Sequence, residues 1–302
     1  MSIEITSVGP QFVARVSGVD LVSGLDDRVF MQLRRALDEH SILIFSDQQM
    51  DDERQMAFSN WWGPMEPTKG VNPASGTPFA RQSNLDVKTG EIIPPDDRRM
   101  AYQKGNYQWH ADSTFKPVPS LCSILTARQV PPEGGNTEFV STRAAYEALP
   151  DELKDVVEDL IVEHDFSVSR GRVGFTFTPE EAALHPAVWH PLVQTNPVTG
   201  RRSLLIGAHA SRIVDWPLDK GQALLEQLLE RATIAKAIYS HKWADGDVVI
   251  WDNRSALHRA TAYDTARYRR LMQRTTISNP DILQTPIYKQ IRKLQSAGAA
   301  HA

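Results

Sequence analysis

The chain has 302 residues, 41% of them hydrophobic, and its 33 basic and 37 acidic side chains give a net charge of −4. This is the composition of an ordinary globular protein, the length allows one elaborated domain, and no net basic field is available to hold nucleic acid. The longest apolar runs, such as 42–45 and 248–251, are far shorter than the roughly 18 residues that cross a bilayer, so we do not expect an integral membrane protein.

The N-terminal part of the chain predicts helices around a buried strand. Residues 27–40 repeat apolar side chains at helical spacing, and the apolar run 41–45 is typical of a short buried strand. A second helix is predicted over 51–62, because two aspartates open it and Gly63 ends it. Between Glu66 and Tyr107, prolines and glycines break every period, so 66–107 is predicted to be an irregular segment that covers a functional site.

The remainder of the chain predicts short strands joined mostly by turns. These turns are too short for parallel crossovers, so we expect a mainly β protein with helical insertions, and a double-stranded β-helix, or jelly roll, fits best. The whole chain, 1–302, is expected to form a single catalytic domain of this kind. The predicted elements are strands over 121–130, 137–140, 237–243, 247–251 and 269–277, a hairpin with arms 192–195 and 203–207, helices over 143–149, from Pro150 and over 217–232, and a frayed tail over 295–302.

Cysteine usage narrows the possible metal ligands and the location. Cys122 is the only cysteine, which excludes an intramolecular disulfide and every multi-thiolate zinc motif. The first residues show no basic stretch followed by an apolar one, so no secretory signal is expected. We therefore predict a cytoplasmic protein whose metal ligands would be histidine, aspartate or glutamate.

The pattern His110-Ala111-Asp112 suggests a metal site. On a strand, His110 and Asp112 would share one face, and His258 follows a later predicted strand. Two histidines and one carboxylate on one face of an octahedral ion form the ligand set of non-haem Fe(II) oxygenases. Taken alone the pattern is weak, since about one His-x-Asp or His-x-Glu is expected by chance, and the residues alone favour a hydrogen-bonded histidine beside a capping aspartate.

Two arginines strengthen the oxygenase interpretation. A 2-oxo acid that chelates such a metal needs a cation for its distal carboxylate, and Arg270 lies on a predicted strand. Alternation places Arg274 on the same face as Arg270, whereas Arg269 and Gln273 take the other face. Thr137, which follows a pair of glycines, can add a hydroxyl donor.

Several segments together carry a family resemblance. They are Trp109 to Ser113 (WHADS), Pro131 to Phe139 (PPEGGNTEF), Ser203 to Ser211 (SLLIGAHAS), Gly246 to Arg259 (GDVVIWDNRSALHR) and Arg270 to Arg274 (RLMQR). With these segments the chain resembles, over nearly its whole length, the taurine dioxygenase and 2,4-dichlorophenoxyacetate dioxygenase family of Fe(II)/2-oxoglutarate-dependent oxygenases. The resemblance implies a jelly roll, with His110, Asp112 and His258 as iron ligands and Thr137 with Arg270 as the anchor of the 2-oxoglutarate distal carboxylate.

The resemblance also implies the cofactors and the reaction. Fe(II), 2-oxoglutarate and O2 would be used, ascorbate would support activity, and succinate and CO2 would be released as a small organic substrate is hydroxylated. The chain looks closest to the phenoxyalkanoate enzymes, which hydroxylate the carbon bearing the ether oxygen and so release a phenol and a 2-oxo acid. A sulfonate or alkyl sulfate dioxygenase of the same family is the alternative. Self-association into a homo-oligomer is left open.

The substrate residues implied by the resemblance each have a structural alternative. Arg274 would meet the substrate anion, or else pair with a structural carboxylate. His209 would face the substrate, or else lie in the core and bond a backbone carbonyl. Lys69 and Asn84, in the irregular segment, would contact the substrate, or else be solvated loop residues.

Two further alternatives concern register and class. Relatives often place the 2-oxoglutarate arginine eleven residues after the distal histidine, and that count falls on Arg269; the motif favours Arg270. If the spacing is followed instead, Arg269 would bind 2-oxoglutarate and Gln273 would face the substrate. The neutral Gln273 would then leave an anionic substrate without a cation. A jelly-roll binding protein without turnover and a zinc hydrolase with the same ligands are the alternatives of a different class.

Overall fold

The computed structural model describes residues 3–69, 71–72 and 74–299. The strands are β1 (Glu4–Ser7), β2 (Val13–Ser17), β3 (Ile42–Phe45), β4 (Phe79–Ser83), β5 (Ser120–Gln129), β6 (Thr137–Ser141), β7 (Ile161–His164), β8 (Val188–Pro191), β9 (Val193–Thr195), β10 (Arg202–Leu204), β11 (Ala210–Ile213), β12 (Tyr239–His241), β13 (Val248–Asp252), β14 (Ala256–Ala260) and β15 (Leu271–Ser278). The helices are α1 (Asp27–His40), α2 (Asp52–Trp62), α3 (Arg98–Gln103), α4 (Thr142–Glu147), α5 (Asp151–Val157), α6 (Phe166–Gly171), α7 (Pro179–Ala183), α8 (Leu218–Ala232) and α9 (Pro286–Ala299), with short 3-10 turns at Lys104–Tyr107, Ala235–Ala237 and Pro280–Gln284.

A seven-stranded sheet in the order β1-β2-β3-β13-β5-β15-β4 forms the largest layer. Its strands pair antiparallel except for β2 and β3, which run parallel. β3 is apolar throughout and has no exposed residue, because both of its faces are covered. The predicted strand 41–45 is therefore a central strand, as a continuous apolar run indicates.

Smaller sheets cover one face of this layer and helices cover the other. β12, β6 and β14 form a three-stranded sheet, and Phe139 of β6 packs against Trp251 and Met272 of the large sheet. On the opposite face, α1 and α2 contribute apolar side chains such as Leu33 and Phe58 to the core. Two packed layers of mostly antiparallel strands confirm the predicted jelly-roll class with helical insertions.

The register between β6 and β14 places the ends of two functional strands side by side. His258 lies opposite Phe139, and Ala260 lies opposite Thr137. Thr137 therefore sits one strand over from His258, two residues further along.

Local signals explain the first two helices. The side chain of Asp26 accepts a hydrogen bond of 2.8 Å from the backbone of Val29, and Asp51 accepts one of 2.8 Å from the backbone of Arg54. These caps satisfy amide groups that a helix leaves unpaired at its start. The predicted helices 27–40 and 51–62 are confirmed within a residue.

Three structural predictions are wrong in part. The segment 66–107 contains an edge strand, β4, paired with β15, and the helix α3, so it is not irregular throughout. The tail 295–302 was expected to fray, but α9 continues to Ala299, and 300–302 lie outside the described residues. His110 makes a single bridge to His258 and a turn begins at Asp112, so the metal motif is not on a regular strand.

Within the described residues, no helix combines the length and the apolar character that crossing a membrane requires.

Candidate active site

His110, Asp112 and His258 bring three buried ligand atoms within 4.8 Å of one another. The backbones of the two histidines exchange hydrogen bonds of 3.0 and 2.9 Å, which fixes their side chains next to each other. Nε2 of His110 lies 3.9 Å from Oδ1 of Asp112, and Nε2 of His258 lies 3.7 Å from Oδ2. The sequence motif and the distant histidine are therefore assembled into one cluster.

The protonation of the histidines fits a metal. Nδ1 of His110 bonds the carbonyl of Gln108 at 2.8 Å, which leaves Nε2 directed at the cluster. Nδ1 of His258 is buried and has no hydrogen-bond partner among the described residues. Burial lowers the pKa of both imidazoles, so they are neutral at pH 7, the form that binds a metal. Two neutral nitrogens and one carboxylate suit a divalent transition metal.

The carboxylate of Asp112 is held from several sides. Oδ2 accepts a hydrogen bond of 2.7 Å from Ser123, and Nδ2 of Asn253 donates to that hydroxyl at 3.0 Å. Oδ1 of Asn253 accepts the backbone N–H of Asp112 at 3.1 Å, and Arg274 donates to Oδ1 of Asp112. Burial alone would raise the pKa of Asp112, but the charge of Arg274, together with the hydrogen bond from Ser123, helps to hold that pKa below its ordinary value. Asp112 is therefore an anion at pH 7.

A small cavity is lined by His110 and His258 and also by Thr137 and Arg270. Arg270 is only 7% exposed and has no carboxylate partner among the described residues; it donates to the carbonyls of Gln82 and Gly135 at 3.2 and 3.4 Å. Thr137 accepts a hydrogen bond of 3.0 Å from an indole N–H, which leaves its own hydroxyl hydrogen for another acceptor. This end of the cavity offers donors and a positive charge and suits a carboxylate.

The strand register separates the two candidate arginines. Arg269 is exposed and donates to the carbonyl of Gly90 at 2.6 Å, outside the cavity. Arg270 and Arg274 both line the cavity, as alternation along the strand predicts. Gln273 does not line this cavity, as alternation along the strand predicts, and its backbone carbonyl accepts a hydrogen bond of 2.9 Å from Gln55.

A larger cleft adjoins this cavity; it is lined by His110 and Asp112 and shares Arg274 with the cavity. Part of its wall comes from the segment 66–107, which contributes Lys69 among others. The opposite wall is aromatic, and the rings of Phe115 and Phe166 stack with their centroids 3.9 Å apart. The cleft therefore combines an apolar wall with cations next to the metal cluster.

His209 lies in this wall rather than in a remote core. Its Nδ1 is 2.9 Å from the hydroxyl of Ser169, not from a backbone carbonyl, and its ring centroid is 5.9 Å from that of His110. Burial lowers the pKa of His209 well below its ordinary value, so it is a neutral wall residue at pH 7.

Asn84 does not reach the cleft that Lys69 lines. Its amide nitrogen donates to the carbonyls of Thr265 and Tyr268, both at 2.8 Å, and its oxygen accepts the backbone N–H of Arg270 at 2.8 Å. The expected contact between Asn84 and the substrate is therefore corrected: Asn84 is fully buried and fixes the loop that precedes Arg270.

Sequence reasoning missed three residues of the site. Ser123 and Asn253 hold the Asp112 carboxylate, and Asn253 lies in a segment that the family resemblance already included. Arg170, on α6, lines the cleft, and no periodic pattern marks this six-residue helix. Only its position in the folded chain identifies it.

Gly207 allows the metal segment to approach a neighbouring loop. Its φ is +114°, and a Cβ atom there would lie 2.9 Å from the carbonyl oxygen of Trp109. The next amide, of Ala208, donates to that same carbonyl at 2.8 Å. Any side chain at 207 would displace the segment that carries His110.

Comparison with known proteins identifies the family. Residues 4–276 match the model of the family described as "Taurine catabolism dioxygenase TauD, TfdA family". The alpha-ketoglutarate-dependent 2,4-dichlorophenoxyacetate dioxygenase of Cupriavidus pinatubonensis is 38% identical over 92% of this chain and 99% of that enzyme. The (S)-phenoxypropionate/alpha-ketoglutarate-dioxygenase of Sphingobium herbicidovorans is 36% identical over 94% of this chain and 98% of that enzyme.

A solved structure agrees with both. The crystal structure of AAD-2 in complex with Mn(II) and N-oxalylglycine superposes with a TM-score of 0.86 and 40% identity, covering 93% of this chain and 98% of that one. With the metal cluster, the two cavities and the match over 4–276, the chain belongs to the TauD/TfdA family of 2-oxoglutarate-dependent dioxygenases.

Proposed function

We propose that this 2-oxoglutarate-dependent dioxygenase uses Fe(II) and O2 to hydroxylate the ether-bearing carbon of an aryloxyalkanoate. The arrangement of the cavities carries the proposal. The candidate metal ligands line both a cavity that contains the buried Arg270, which has no carboxylate partner among the described residues, and a cleft with aromatic side chains and further cations. One side suits the co-substrate and the other suits an aromatic anion.

The residues take these roles. His110, Asp112 and His258 would hold the iron, and Thr137 with Arg270 would bind the distal carboxylate of 2-oxoglutarate. When bound, the metal and 2-oxoglutarate together supply the oxidising chemistry, with succinate and CO2 as products. Ascorbate would keep the metal reduced.

The remaining site residues would position the substrate and exclude water. Arg274 and Lys69 would face its anionic group, and His209 would form part of the wall beside it. The segment 66–107 would cover the cleft when both ligands are bound. The hydroxylated carbon would then carry both a hydroxyl and an ether oxygen, and this hemiacetal would collapse to a phenol and a 2-oxo acid.

The relatives support the substrate class, since two of them are named for 2,4-dichlorophenoxyacetate and phenoxypropionate. The buried Arg270 and the chain's place in this family favour the oxygenase over a zinc hydrolase, which has no use for that cation. Self-association and a cytoplasmic location remain predictions. We also propose that residues 1–302 form one catalytic domain.

The experiment is a substrate panel. Purified protein with Fe(II), 2-oxoglutarate and ascorbate is given phenoxyacetates, phenoxypropionates, sulfonates and alkyl sulfates, and succinate and released phenol are measured. We expect phenol and succinate in equal amounts from an aryloxyalkanoate. Turnover of sulfonates or alkyl sulfates alone would refute the substrate class and favour the alternative within the family.

A further inference from the structure

Arg170 is a buried cation in the substrate cleft. It is 6% exposed, and the part of the chain that the structure describes provides it with no carboxylate partner. Its Nε has no hydrogen-bond partner among those residues. A guanidinium stays charged in proteins, so a buried one without an anion is costly unless a ligand supplies the anion.

The surroundings of Arg170 hold its guanidinium in place. It lies over the rings of Tyr102 and Phe166, 4.6 and 4.7 Å from their centroids. On another side it lies against Gly105, where a Cβ atom would come within 1.3 Å of a guanidinium nitrogen. The two aromatic faces hold the guanidinium in position, and Gly105, which has no side chain, leaves the space that it occupies.

The guanidinium of Arg170 lies beside the candidate metal ligands. Arg170 lines the same cleft as His110, Asp112 and Arg274. The ring of Phe166, over which the guanidinium lies, has its centroid 5.5 Å from that of His209, which in turn lies 5.9 Å from that of His110. A second arginine of the cleft, Arg274, also donates to the carboxylate of Asp112, so part of its charge is balanced there.

The chemistry of an aryloxyalkanoate matches this position. In such an acid the carboxylate is bonded directly to the carbon that is hydroxylated, so the cation that binds it must lie next to the metal. The aromatic ring is joined to the same carbon through the ether oxygen, and the stacked rings of Phe115 and Phe166 lie along the same wall.

We propose that Arg170, together with Arg274, binds the anionic group of the organic substrate and selects anionic over neutral substrates. This inference rests on the proposed function and identifies the specificity residue of the same cleft. Arg170 is a binding residue and takes no part in the binding of 2-oxoglutarate, which occupies the cavity of Thr137 and Arg270.

The experiment compares Arg170→Gln and Arg170→Lys with the wild type. Protein loaded with Mn(II) and N-oxalylglycine is titrated by calorimetry with phenoxyacetate and with its neutral isostere, phenoxyacetamide. We expect Arg170→Gln to weaken phenoxyacetate roughly 10- to 100-fold, as loss of a charge-assisted contact does, and to change phenoxyacetamide little. Arg170→Lys should recover part of the difference.

A matched control is Arg98→Gln. Arg98 lies 4.6 Å over the ring of Phe175, which packs against Tyr102 in the same aromatic cluster, but Arg98 does not line the cleft. Its removal should leave both ligands unaffected. A merely structural role of Arg170 would weaken the acid and the amide equally, and that result would overturn the inference.

The failure of the proposed function has a separate signature. If the wild type binds alkyl sulfates or sulfonates in place of aryloxyalkanoates, the same comparison of wild type and Arg170→Gln is made with that anion. A loss specific to the anion then supports Arg170 while refuting the aryloxyalkanoate class. A wild-type protein that binds none of these anions would refute the inference as well.

Discussion

The hydroxyl of Ser123 supports the metal site although no metal motif includes it. It donates to Asp112 at 2.7 Å and is itself bonded by Asn253. Such supporting contacts orient a ligand, and their removal typically lowers metal affinity by about 10- to 100-fold.

We therefore expect Ser123→Ala to weaken Mn(II) binding by roughly one to two orders of magnitude, and Asp112→Ala to abolish it together with 2-oxoglutarate turnover. Calorimetric titration of metal-free protein measures both effects. Ser59→Ala is the control, because it removes an equally buried hydroxyl from a pair with Thr275 at 2.7 Å. An equal loss in Ser59→Ala would show that the effect is one of packing.

Of the two neighbouring arginines, Arg269 is exposed and Arg270 is buried. Arg270→Gln should raise the 2-oxoglutarate requirement roughly 10- to 100-fold, since a charge-assisted contact contributes about 1.5 to 3 kcal/mol. Arg269→Gln removes only a contact to the carbonyl of Gly90 and should leave that requirement unchanged. Succinate formation against 2-oxoglutarate concentration measures both, and the reverse result would assign the role to Arg269.

At the scale of elements, the segment 66–107 contributes to two different parts of the site, whereas the sequence analysis expected both of its named residues to contact the substrate. Lys69 lines the substrate cleft, whereas Asn84 bonds the loop that leads into β15 and Arg270. The two residues should therefore affect different ligands.

Lys69→Ala should weaken the organic substrate and leave 2-oxoglutarate affinity nearly unchanged. Asn84→Ala should do the opposite, because three buried hydrogen bonds that position Arg270 are lost, and it should also lower the free energy of unfolding by about 1 to 3 kcal/mol. Apparent Michaelis constants for both ligands, with urea unfolding, test this. If Asn84→Ala weakens only the binding of the organic substrate, the result would instead support a contact between Asn84 and the substrate.

Elements with strong local signals were predictable, and elements shaped by the site were not. The helices 27–40 and 51–62 and the central strands follow from period and caps. β4 escaped prediction because it is an edge strand whose polar Gln82 faces the cavities, so apolar alternation is lost. The candidate metal ligands were recognised through their motif, whereas Arg170 belongs to none, and its packing against Tyr102 and Gly105 exists only in the folded chain.

At the scale of the whole molecule, buried neutral histidines make stability depend on pH. Burial lowers the pKa of His190 to about 4 and that of His164 well below its ordinary value. Both titrate near 6.5 in an unfolded chain. Between pH 6.5 and 4 the unfolded chain therefore binds more protons, and the free energy of unfolding falls as the pH falls.

For each such histidine the slope approaches about 1.4 kcal/mol per pH unit. Urea unfolding of metal-free protein at pH 7, 6 and 5 should show stability falling toward pH 5. His190→Gln should make this decline shallower, by about the contribution of one histidine. Parallel pH dependence in His190→Gln and wild type would contradict the assignment.

The pairing of β6 with β14 also sets a length. Thr137 lies opposite Ala260, two residues along the strand from His258, a separation of roughly 6.6 Å at about 3.3 Å per residue. Thr137 is also displaced by the spacing of about 4.8 Å between neighbouring strands, so the backbones of Thr137 and His258 lie roughly 8 Å apart. On the proposed assignment, this fixed separation between a metal ligand and a residue of the carboxylate anchor would set the length of the dicarboxylic co-substrate. Oxaloacetate is shorter by one carbon–carbon bond of about 1.5 Å and would leave Arg270 unpaired, while 2-oxoadipate would have to buckle. On that assignment, the backbone pairing of β6 with β14 would favour a five-carbon acid by its length.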